Sequence, residues 1–246
     1  MSAGLPKPPD QLTPMLPPGT LDGSSAIVVG AGLLADTAVD AIEALGSPVT
    51  QLTATDSAAL ERSVTESGAD ILVVCMATGH PRRSEEVGLA GWREGSGREL
   101  DAAFAAVSAF GRKRTSGGVV LFLIDPVAVL GGPGVSAAAA AGAALVSLAQ
   151  SLAVEWAPRD IRANALAVGP FVGKDEPRVA GNVPALRLGD PRELAWMVGY
   201  LCSPFAAYVT GTCVTIDGGD SLKRYLLEPR YQPGEFLLRP AASDRA

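Results

Sequence analysis

One glycine-rich turn near the start of the chain has the residue types and spacing of a phosphate-binding site. Gly30, Gly32 and Ala35 form the pattern G-x-G-x-x-A directly after the apolar run Ala26–Val29. Where such a turn joins a strand to a helix, the glycines let the backbone approach a pyrophosphate, and the helix N-terminus supplies N–H donors. Because the pattern is short and common, it is only a weak indication of a dinucleotide site.

The single histidine of the chain, His80, is a second group that could do chemistry. It follows a predicted strand at residues 70–75, where it could act as a general acid at the C-terminal edge of a sheet. No second catalytic group is evident beside it, and Pro81 follows at once. We therefore interpret His80 as a loop residue.

The elements that would position these groups alternate between strand and helix. Residues 119–124 form a continuous apolar run, which is typical of a parallel strand covered on both faces. Residues 136–156 contain no proline and many alanines, which predicts a long helix whose small side chains admit another backbone. Residues 161–168 are the next predicted strand, so the stretch is a βαβ unit with a right-handed crossover.

Two stretches of the chain resemble the short-chain dehydrogenase/reductase (SDR) family. Residues 150–171, QSLAVEWAPRDIRANALAVGPF, are similar to that family's helix, strand and Pro-Gly turn. Residues 209–219, VTGTCVTIDGG, are similar to its last strand and the turn after it. With the first strand and turn, the resemblance covers roughly residues 20–220 and implies an α/β fold with a Rossmann-like, doubly wound parallel sheet.

The resemblance also implies which residues should carry the reaction, and all four are replaced. The family uses a Tyr as proton donor, a Lys that lowers the Tyr pKa, a Ser that orients the carbonyl and a helping Asn. Alignment places Ala138 at the Tyr, Gly142 at the Lys, Asp125 at the Ser and Glu99 at the Asn. Asp125 would put negative charge where an oxyanion must develop. We therefore predict that this chain has no catalytic residues.

The cofactor loop departs from the family pattern as well. The family spacing T-G-x-x-x-G-x-G places Val29 at the Thr and places Leu34 and Asp36 at the two later glycines. Leu34 adds bulk where the backbone should touch phosphate, and Asp36 brings a carboxylate to the helix N-terminus that would repel a pyrophosphate. We predict that the degenerate loop containing Gly30, Gly32, Leu34 and Asp36 holds no cofactor.

The N-terminal half is one βα unit shorter than the resemblance implies. A strand at residues 48–53 and a helix at residues 56–67, with Asp56 as its N-cap, are followed at once by the next strand. The acidic residue that would hold the ribose 2′-OH has no counterpart, since Thr53 and Ala54 stand at that place. Whether the surviving strand corresponds to the family's second or third is left open by the sequence.

Composition and charge exclude several function classes. A chain of 246 residues, 48% of them hydrophobic, suits one α/β domain. The net charge of -6 and the pI of about 4.9 argue against binding to nucleic acid or an anionic membrane. The three cysteines lack metal-ligand spacing, so we predict no metal site and a reducing, cytoplasmic location. No segment is expected to reach the ~20 strongly apolar residues of a membrane span.

The chain divides into three predicted segments. Residues 1–22 are a Pro-rich N-terminal arm, for which a disordered tail is the alternative, and residues 23–219 form the Rossmann-like domain. Residues 220–246 are a C-terminal extension that is too apolar for a solvated tail. We expect this extension to cover or complete the substrate pocket of a partner subunit.

Two Ala-rich helices supply the predicted partner surface. Residues 80–98 are predicted to be a polar loop that leads into a helix at residues 99–111. The resemblance implies that subunits pair through this helix and through residues 136–156. Both helices carry smooth apolar outer faces, so we predict that a partner covers them.

The favoured hypothesis is a catalytically inactive SDR-fold subunit. It would assemble with an active SDR paralogue into a heterodimer or heterotetramer, and that partner would bind NAD or NADP. Fold analogy alone suggests a hydroxyacyl-CoA or ketoacyl-CoA substrate. Two alternatives stay open: an active oxidoreductase that uses His80 or Asp125 as its acid, and a regulatory module that binds a ligand in the vacated cleft.

Overall fold

The computed structural model contains a six-stranded sheet and a separate two-stranded sheet. It describes residues 15–53, 56–76, 83–132, 134–173, 181, 183–222, 227–232 and 235–240, with the backbone alone at 95–96 and in the last two ranges. The strands are β1 (Ala26–Val29), β2 (Val49–Leu52), β3 (Ile71–Cys75), β4 (Gly118–Ile124), β5 (Ile161–Val168), β6 (Cys213–Ile216), β7 (Leu227–Gln232) and β8 (Glu235–Pro240). The α-helices are α1 (Leu33–Glu43), α2 (Ser57–Ser67), α3 (Ser84–Trp92), α4 (Arg98–Lys113), α5 (Val127–Leu130), α6 (Ser136–Trp156) and α7 (Pro191–Cys202).

The large sheet has the order β2-β1-β3-β4-β5-β6, and every neighbouring pair in it is parallel. The chain runs from β1 outward to β2 and then crosses back to β3, which creates a topological switch between β1 and β3. In sheets of this kind, ligands bind in the crevice outside the C-terminal ends of the strands at such a switch. The predicted doubly wound parallel sheet is confirmed.

Helices cover both faces of the sheet, so the molecule has three layers. The helices α2, α4 and α6 pack on one face, and α1 and α7 pack on the other. Alternate residues of β4 enter the two cores: Val120 and Phe122 join the first, and Leu121 and Leu123 join the second. Because both of its faces are buried, β4 is a continuous apolar run, as its sequence predicts.

The N-terminal half of the sheet is short by one βα unit, as predicted. The usual doubly wound order 3-2-1-4-5-6 has two strands beyond the first on one side of the switch. Here only β2 stands there, and it forms the edge of the sheet. It pairs directly with β1, from Ala26 opposite Val49 to Val29 opposite Leu52. The surviving strand therefore takes the place of the second strand, and the missing unit is the third.

The predicted loop at residues 80–98 is wrong for most of its length. Within the described residues, α3 and a π-helical turn at Arg93–Gly97 lead into α4. No side chain of α3 is buried, and Gly88 breaks its helical backbone with a φ of 60°. The sequence therefore has no apolar stripe at helical spacing that could have indicated this helix.

The helix α6 meets the length and composition of a membrane span, contrary to the expectation from the sequence. With the turn that follows it, the apolar stretch Ser136–Arg159 has 24 residues, and an 18-residue window within it has a mean hydropathy of 1.7. Its inner face packs against the sheet beside α4, where Ala141, Leu145 and Ala149 are buried. As the crossover helix between β4 and β5 it needs one apolar face, but only 39% of that window is buried.

The described residues before β1 pack against the α1 face of the core, and a hairpin follows the large sheet in the chain. The N–H of Leu21 donates to the carbonyl oxygen of Leu45 (2.8 Å), and Leu16 packs on the core beside α1. At the other end, β7 and β8 form an antiparallel hairpin in which Tyr231 stands opposite Phe236. Residues 1–14, 223–226 and 241–246 lie outside the described residues.

Candidate functional site

The turn between β1 and α1 has the backbone of a strand-to-helix glycine turn. Gly30 (φ +133°) and Gly32 (φ +79°) adopt conformations that residues with a Cβ rarely reach. A Cβ on Gly30 would lie 2.8 Å from the Cβ of Cys75, so the missing side chain lets the ends of β1 and β3 come together. Gly32 is the N-cap residue, and α1 begins at Leu33.

The first two residues of α1 fill the space beside this turn with apolar side chains. Leu33 and Leu34 are half-buried and pack against the core on the α1 face of the sheet. The two methyl groups of Leu33 lie 3.6 and 3.7 Å from the position that a Cβ on Gly173 would take. A side chain at residue 173 would therefore be in van der Waals contact with the N-terminus of α1.

Asp36 places a carboxylate in the first turn of α1, beside the positive end of the helix dipole. The Nε2 amide of Gln51, on β2, donates to Asp36 Oδ1 (3.1 Å) and to the carbonyl oxygen of Gly30 (3.2 Å). One side chain thus ties the edge strand to both ends of the glycine turn. Sequence reasoning misses Gln51, because a glutamine on an exposed strand belongs to no recognisable motif.

Asp125 follows β4 and uses its carboxylate to begin α5. Its Oδ1 accepts a hydrogen bond from the backbone N–H of Val127 (3.0 Å), and its carbonyl oxygen accepts one from the N–H of Ala128 (3.0 Å). These two bonds form the turn that leads into α5, whose N-cap residue is Pro126.

Ala138 and Gly142 lie one turn apart on the buried side of α6. A Cβ on Gly142 would lie 2.5 Å from the Cβ of Ala128 and 3.6 Å from the Cε of Met76. The short helix α5 is therefore seated directly on α6 at the glycine. Asp125 lies two residues before α5, Ala138 lies one turn before Gly142 on α6, and Ala128 of α5 occupies the space beside Gly142.

The other two predicted site residues lie elsewhere or cannot be placed. Glu99 is half-buried in the first turn of α4. His80, with residues 77–82, lies outside the described residues, so its assignment as a loop residue stays a prediction.

The cysteines lie in or beside the sheet and the helix α7. Burial raises the pKa of both the Cys75 and the Cys202 thiols to about 12, and for Cys75 the nearby Asp36 carboxylate adds to the effect. Burial also raises the pKa of Cys213. Thiols with raised pKa are weak nucleophiles and poor metal ligands. Across the described part of the chain, no group of three or more His, Cys, Asp or Glu residues is arranged to hold a metal.

The outer face of α6 lacks charge along most of its length. On α6, Val154 is 78% exposed, and on the neighbouring helix α4, Phe104 is 59% exposed. The other exposed positions of α6 before Glu155 are Ala140, Ala143, Ala144, Ser147, Gln150 and Ser151. No charged residue occurs between Asp125 and Glu155. A water-facing helix normally carries charges, so the outer face of α6 is unusually apolar.

Comparison with known proteins matches the chain to a family over its three-layer domain. A family model described as "Enoyl-(Acyl carrier protein) reductase" matches residues 23–221. The match therefore includes both the glycine turn and the last strand of the large sheet.

Curated relatives align with part of the chain. The probable 2,4-dienoyl-CoA reductase of Bacillus subtilis is 39% identical over 120 residues, which are 44% of this chain and 47% of that protein. The 3-oxoacyl-[acyl-carrier-protein] reductase of Vibrio harveyi is 37% identical over 118 residues, 44% of this chain and 48% of that protein. The chain thus spans about half the length of the curated relatives that it matches.

Solved structures agree with the fold over most of the chain. A putative NAD(P)-dependent gluconate 5-dehydrogenase from Beutenbergia cavernae, solved with NADP at low occupancy, is 26% identical with a TM-score of 0.76, and the match covers 84% of this chain and all of that one. A short-chain dehydrogenase/reductase from Serratia marcescens, 23% identical with a TM-score of 0.74, covers 82% of this chain and 99% of its own and shows the fold alone. Together with the family model, these matches show that the chain belongs to the short-chain dehydrogenase/reductase family of oxidoreductases.

Proposed function

We propose that this chain is a catalytically silent subunit that assembles with an active, NAD(P)-dependent SDR paralogue. The observation that carries the proposal is the contact between Gly142 and Ala128. At the position where the family has its lysine, a side chain of any size would meet the methyl group of α5, since even a Cβ would lie 2.5 Å from it. The glycine at residue 142 is therefore required by the packing of α5 on α6, in addition to lacking the functional group of a lysine.

The remaining groups at this place cannot transfer a proton as the family does. Reduction of a carbonyl by hydride leaves an oxyanion that needs a proton from a donor of tuned pKa. Ala138 has no such proton. The Asp125 carboxylate accepts a hydrogen bond from the N–H of Val127, and its negative charge opposes a developing oxyanion. These observations weigh against the alternative in which Asp125 is the catalytic acid.

The residues around the glycine turn do not fit a dinucleotide. A pyrophosphate binds at a helix N-terminus because N–H groups and the helix dipole attract it. Here the Asp36 carboxylate already lies in that field, and Gln51 bonds both to it and to Gly30. The apolar side chains of Leu33 and Leu34 lie at the same helix N-terminus. The paralogue then supplies NAD or NADP, and this chain binds neither.

The outer faces of α4 and α6 provide the surface for the partner. Small side chains let two helices approach closely, and the lack of charge over α6 removes the cost of desolvating ionic groups. The exposed apolar groups Phe104 and Val154 would be buried in such an interface. Pairing through both helices gives a heterodimer, and a second such contact gives a heterotetramer.

The substrate class follows from the names of the relatives. The chain is similar to a dienoyl-CoA reductase and to an oxoacyl-carrier-protein reductase, both of which act on acyl thioesters by their names. An acyl-CoA or acyl-carrier-protein substrate is therefore proposed for the active site of the paralogue.

Co-expression with an SDR paralogue encoded beside this chain tests the proposal. We expect the two chains to co-purify and to elute together, with cofactor bound in a ratio of one per paralogue subunit. Ala144→Arg, which puts a charge in the middle of the exposed face of α6, should weaken co-purification by about tenfold or more. Phe205→Arg, at an exposed aromatic outside that face, is the matched control and should leave it unchanged.

Two results would overturn the proposal. One is a stable homodimer of this chain that pairs with no paralogue. The other is turnover of NADH or NADPH by the purified chain alone, abolished by Asp125→Asn or by His80→Ala, which would establish the active-oxidoreductase alternative.

A further inference from the structure

A cavity of about 400 Å³, the α7 cavity, lies between α7 and the segments that follow β5 and β6. Aromatic and aliphatic side chains form much of its wall: Phe171, Trp196, Met197, Tyr200 and Ile216, with Met15 from the N-terminal arm. Small-molecule sites in proteins usually have volumes of about 300–1,000 Å³, whereas packed interiors contain few voids larger than a water molecule. Since an apolar cavity of about 150 Å³ is large enough to hold benzene, the α7 cavity has room for a molecule of about two or three rings.

The apolar side chains of the wall are of two kinds that favour an aromatic occupant. Phe171, Trp196 and Tyr200 have rings that can pack edge-to-face or in an offset stack with another ring. Met15 and Met197 have thioethers, which make favourable contacts with aromatic rings and adapt to irregular shapes. A ring system would gain these contacts in addition to the burial of apolar area, which is all that an aliphatic chain would gain.

Three charged side chains line the α7 cavity, and each is already bonded within the protein. Arg187 makes two hydrogen bonds of 2.7 Å to the carboxylate of Glu193. The Asp217 carboxylate accepts hydrogen bonds from the N–H groups of Gly219 (2.9 Å) and Ser221 (2.6 Å). A charged occupant would lose its hydration without meeting an unpaired counter-charge among the described residues that line the cavity. The excess of negative charge in the wall would further oppose an anion.

The α7 cavity is distinct from the place where the catalytic residues of the family are replaced. Phe171, Met197 and Tyr200 pack with the core on the α1 face of the sheet. Gly142 instead packs against Ala128, which belongs to the core on the α6 face. A ligand in the α7 cavity would therefore lie on the other side of the sheet from the closed catalytic position.

We propose that the α7 cavity is a binding site for an uncharged aromatic molecule of about two or three rings. The aromatic and thioether side chains of the wall hold the ring system, and the ion pair between Arg187 and Glu193 stays intact beside it. This site goes beyond the proposed partner role and does not depend on it, since none of the residues that line the cavity lies in the glycine turn or at a replaced catalytic position.

Titration of the full chain with two fluorescent probes tests the site. N-phenyl-1-naphthylamine is uncharged and has three rings, and 8-anilino-1-naphthalenesulfonate has the same rings with an added sulfonate. Both probes fluoresce more strongly in apolar surroundings. We expect saturable binding of one molecule of the uncharged probe per chain, with an affinity about tenfold or more above that of the sulfonate, because the anion finds no unpaired cation in the wall.

A pair of tryptophan substitutions locates the bound probe. Ala185 is exposed and lines the α7 cavity, so Ala185→Trp should fill part of the cavity and weaken binding of the uncharged probe by about tenfold or more. Ala31→Trp is the matched control, because it places the same ring at an exposed position in the glycine turn. It should leave the affinity unchanged, and circular dichroism reports whether each variant keeps its fold.

Several outcomes would overturn the proposal. In the unaltered chain, these are the absence of saturable binding of the uncharged probe, or equal affinities of the two probes. Loss of binding in Ala31→Trp but not in Ala185→Trp would place the probe in the glycine turn instead. Binding that weakens as the protein concentration rises from about 0.5 µM to about 50 µM would indicate that a second copy of the chain occupies the cavity.

Discussion

At the residue scale, two opposing effects meet at Gly142. A glycine inside a helix costs about 1 kcal/mol relative to alanine, because its backbone loses more freedom on folding. Here the missing Cβ is also what allows α5 to lie on α6, with the methyl group of Ala128 in its place. We expect the steric cost of a Cβ at residue 142 to exceed the gain in helix propensity. Neither α5 nor α6 can move away without disturbing the core around Met76.

We predict that Gly142→Ala destabilises the protein by about 1–3 kcal/mol, in spite of the better helix propensity of alanine. The double variant Ala128→Gly/Gly142→Ala moves the methyl group from one helix to the other and should recover a large part of the loss. Urea unfolding followed by circular dichroism measures the free energy of unfolding of each variant and the coupling between the two sites.

Gly97→Ala is the control for this experiment, since a Cβ at Gly97 would meet nothing within 4 Å. It should be neutral or slightly stabilising. A Gly142→Ala protein that is more stable than the parent would show that α5 moves aside at little energetic cost. The steric argument for a closed catalytic position would then be wrong.

At the element scale, the start of α7 depends on two ionised carboxylates. The Asp190 side chain accepts a hydrogen bond from the N–H of Arg192 (2.9 Å), and the Glu193 side chain accepts one from the N–H of Asp190 (2.9 Å), which together make a capping box. Hydrogen bonds from Arg187 hold the pKa of Glu193 below its usual value of 4.5. Hydrogen bonds from the side chain of Arg192 likewise hold the pKa of Asp190 below its usual value of 3.8.

A carboxylate whose pKa is lower in the folded than in the unfolded chain stabilises the fold above its unfolded pKa. That contribution is lost as the pH falls below about 4.5 toward the lower pKa of the folded state. We predict that Glu193→Gln lowers the free energy of unfolding at neutral pH by about 0.5–1 kcal/mol and makes the acid loss of stability shallower. Unfolding in urea between about pH 6 and pH 3 measures both effects.

Glu43→Gln, at an exposed acidic residue on α1, serves as the comparison and should keep the slope of the parent protein. A slope that Glu193→Gln leaves unchanged would mean that the ion pair with Arg187 contributes nothing beyond the neutral capping hydrogen bond.

The elements differ in how well their sequences predicted them, and burial explains the difference. The bounds of α6 and β5 agree with the sequence residue for residue. Each element has an uninterrupted pattern of its own, and a clear break near Pro158 separates the two. The helix α3 escaped prediction because none of its side chains is buried. A helix without a buried face has no apolar residues at helical spacing from which it could be predicted.

The same contrast holds at the candidate site. The replacements at Ala138, Gly142 and Asp36 are side-chain identities, so the sequence could indicate them directly. The hydrogen bonds of Gln51 and the seat of α5 on Gly142 depend on how separate elements meet in space. No local pattern encodes such contacts, and the proposal that the catalytic position is closed depends on them.

At the scale of the whole molecule, two of its cysteines lie within the core on the α1 face of the sheet. Cys75 packs against it at the end of β3, where it meets Gly30, and Cys202 is buried within it on α7. The raised pKa of about 12 for both thiols reflects how little water reaches them in the folded protein. Their reactivity therefore reports how often this part of the molecule opens.

We predict that iodoacetamide at about pH 8 modifies Cys75 and Cys202 roughly 1,000-fold more slowly than a free thiol. A pKa of about 12 against the usual 9.0 lowers the thiolate fraction by that factor, and exclusion of the reagent slows the reaction further. Cys202 is buried, whereas Cys75 and Cys213 are both half-buried, so Cys213→Ser isolates the two thiols whose pKa is raised to about 12. Mass spectrometry of peptides assigns each modified residue, and in urea all three should react rapidly.

The ratio of the modification rates of Cys75 and Cys202 distinguishes a closed glycine turn from one that opens. Equal rates for Cys75 and Cys202 are expected if both thiols are reached only through global unfolding, because then one opening event limits both. Rapid modification of Cys75 alone would mean that the ends of β1 and β3 part while the rest of the sheet stays folded. A crevice that opens in this way could admit a cofactor, and the proposal that this chain binds none would then fail at its structural basis.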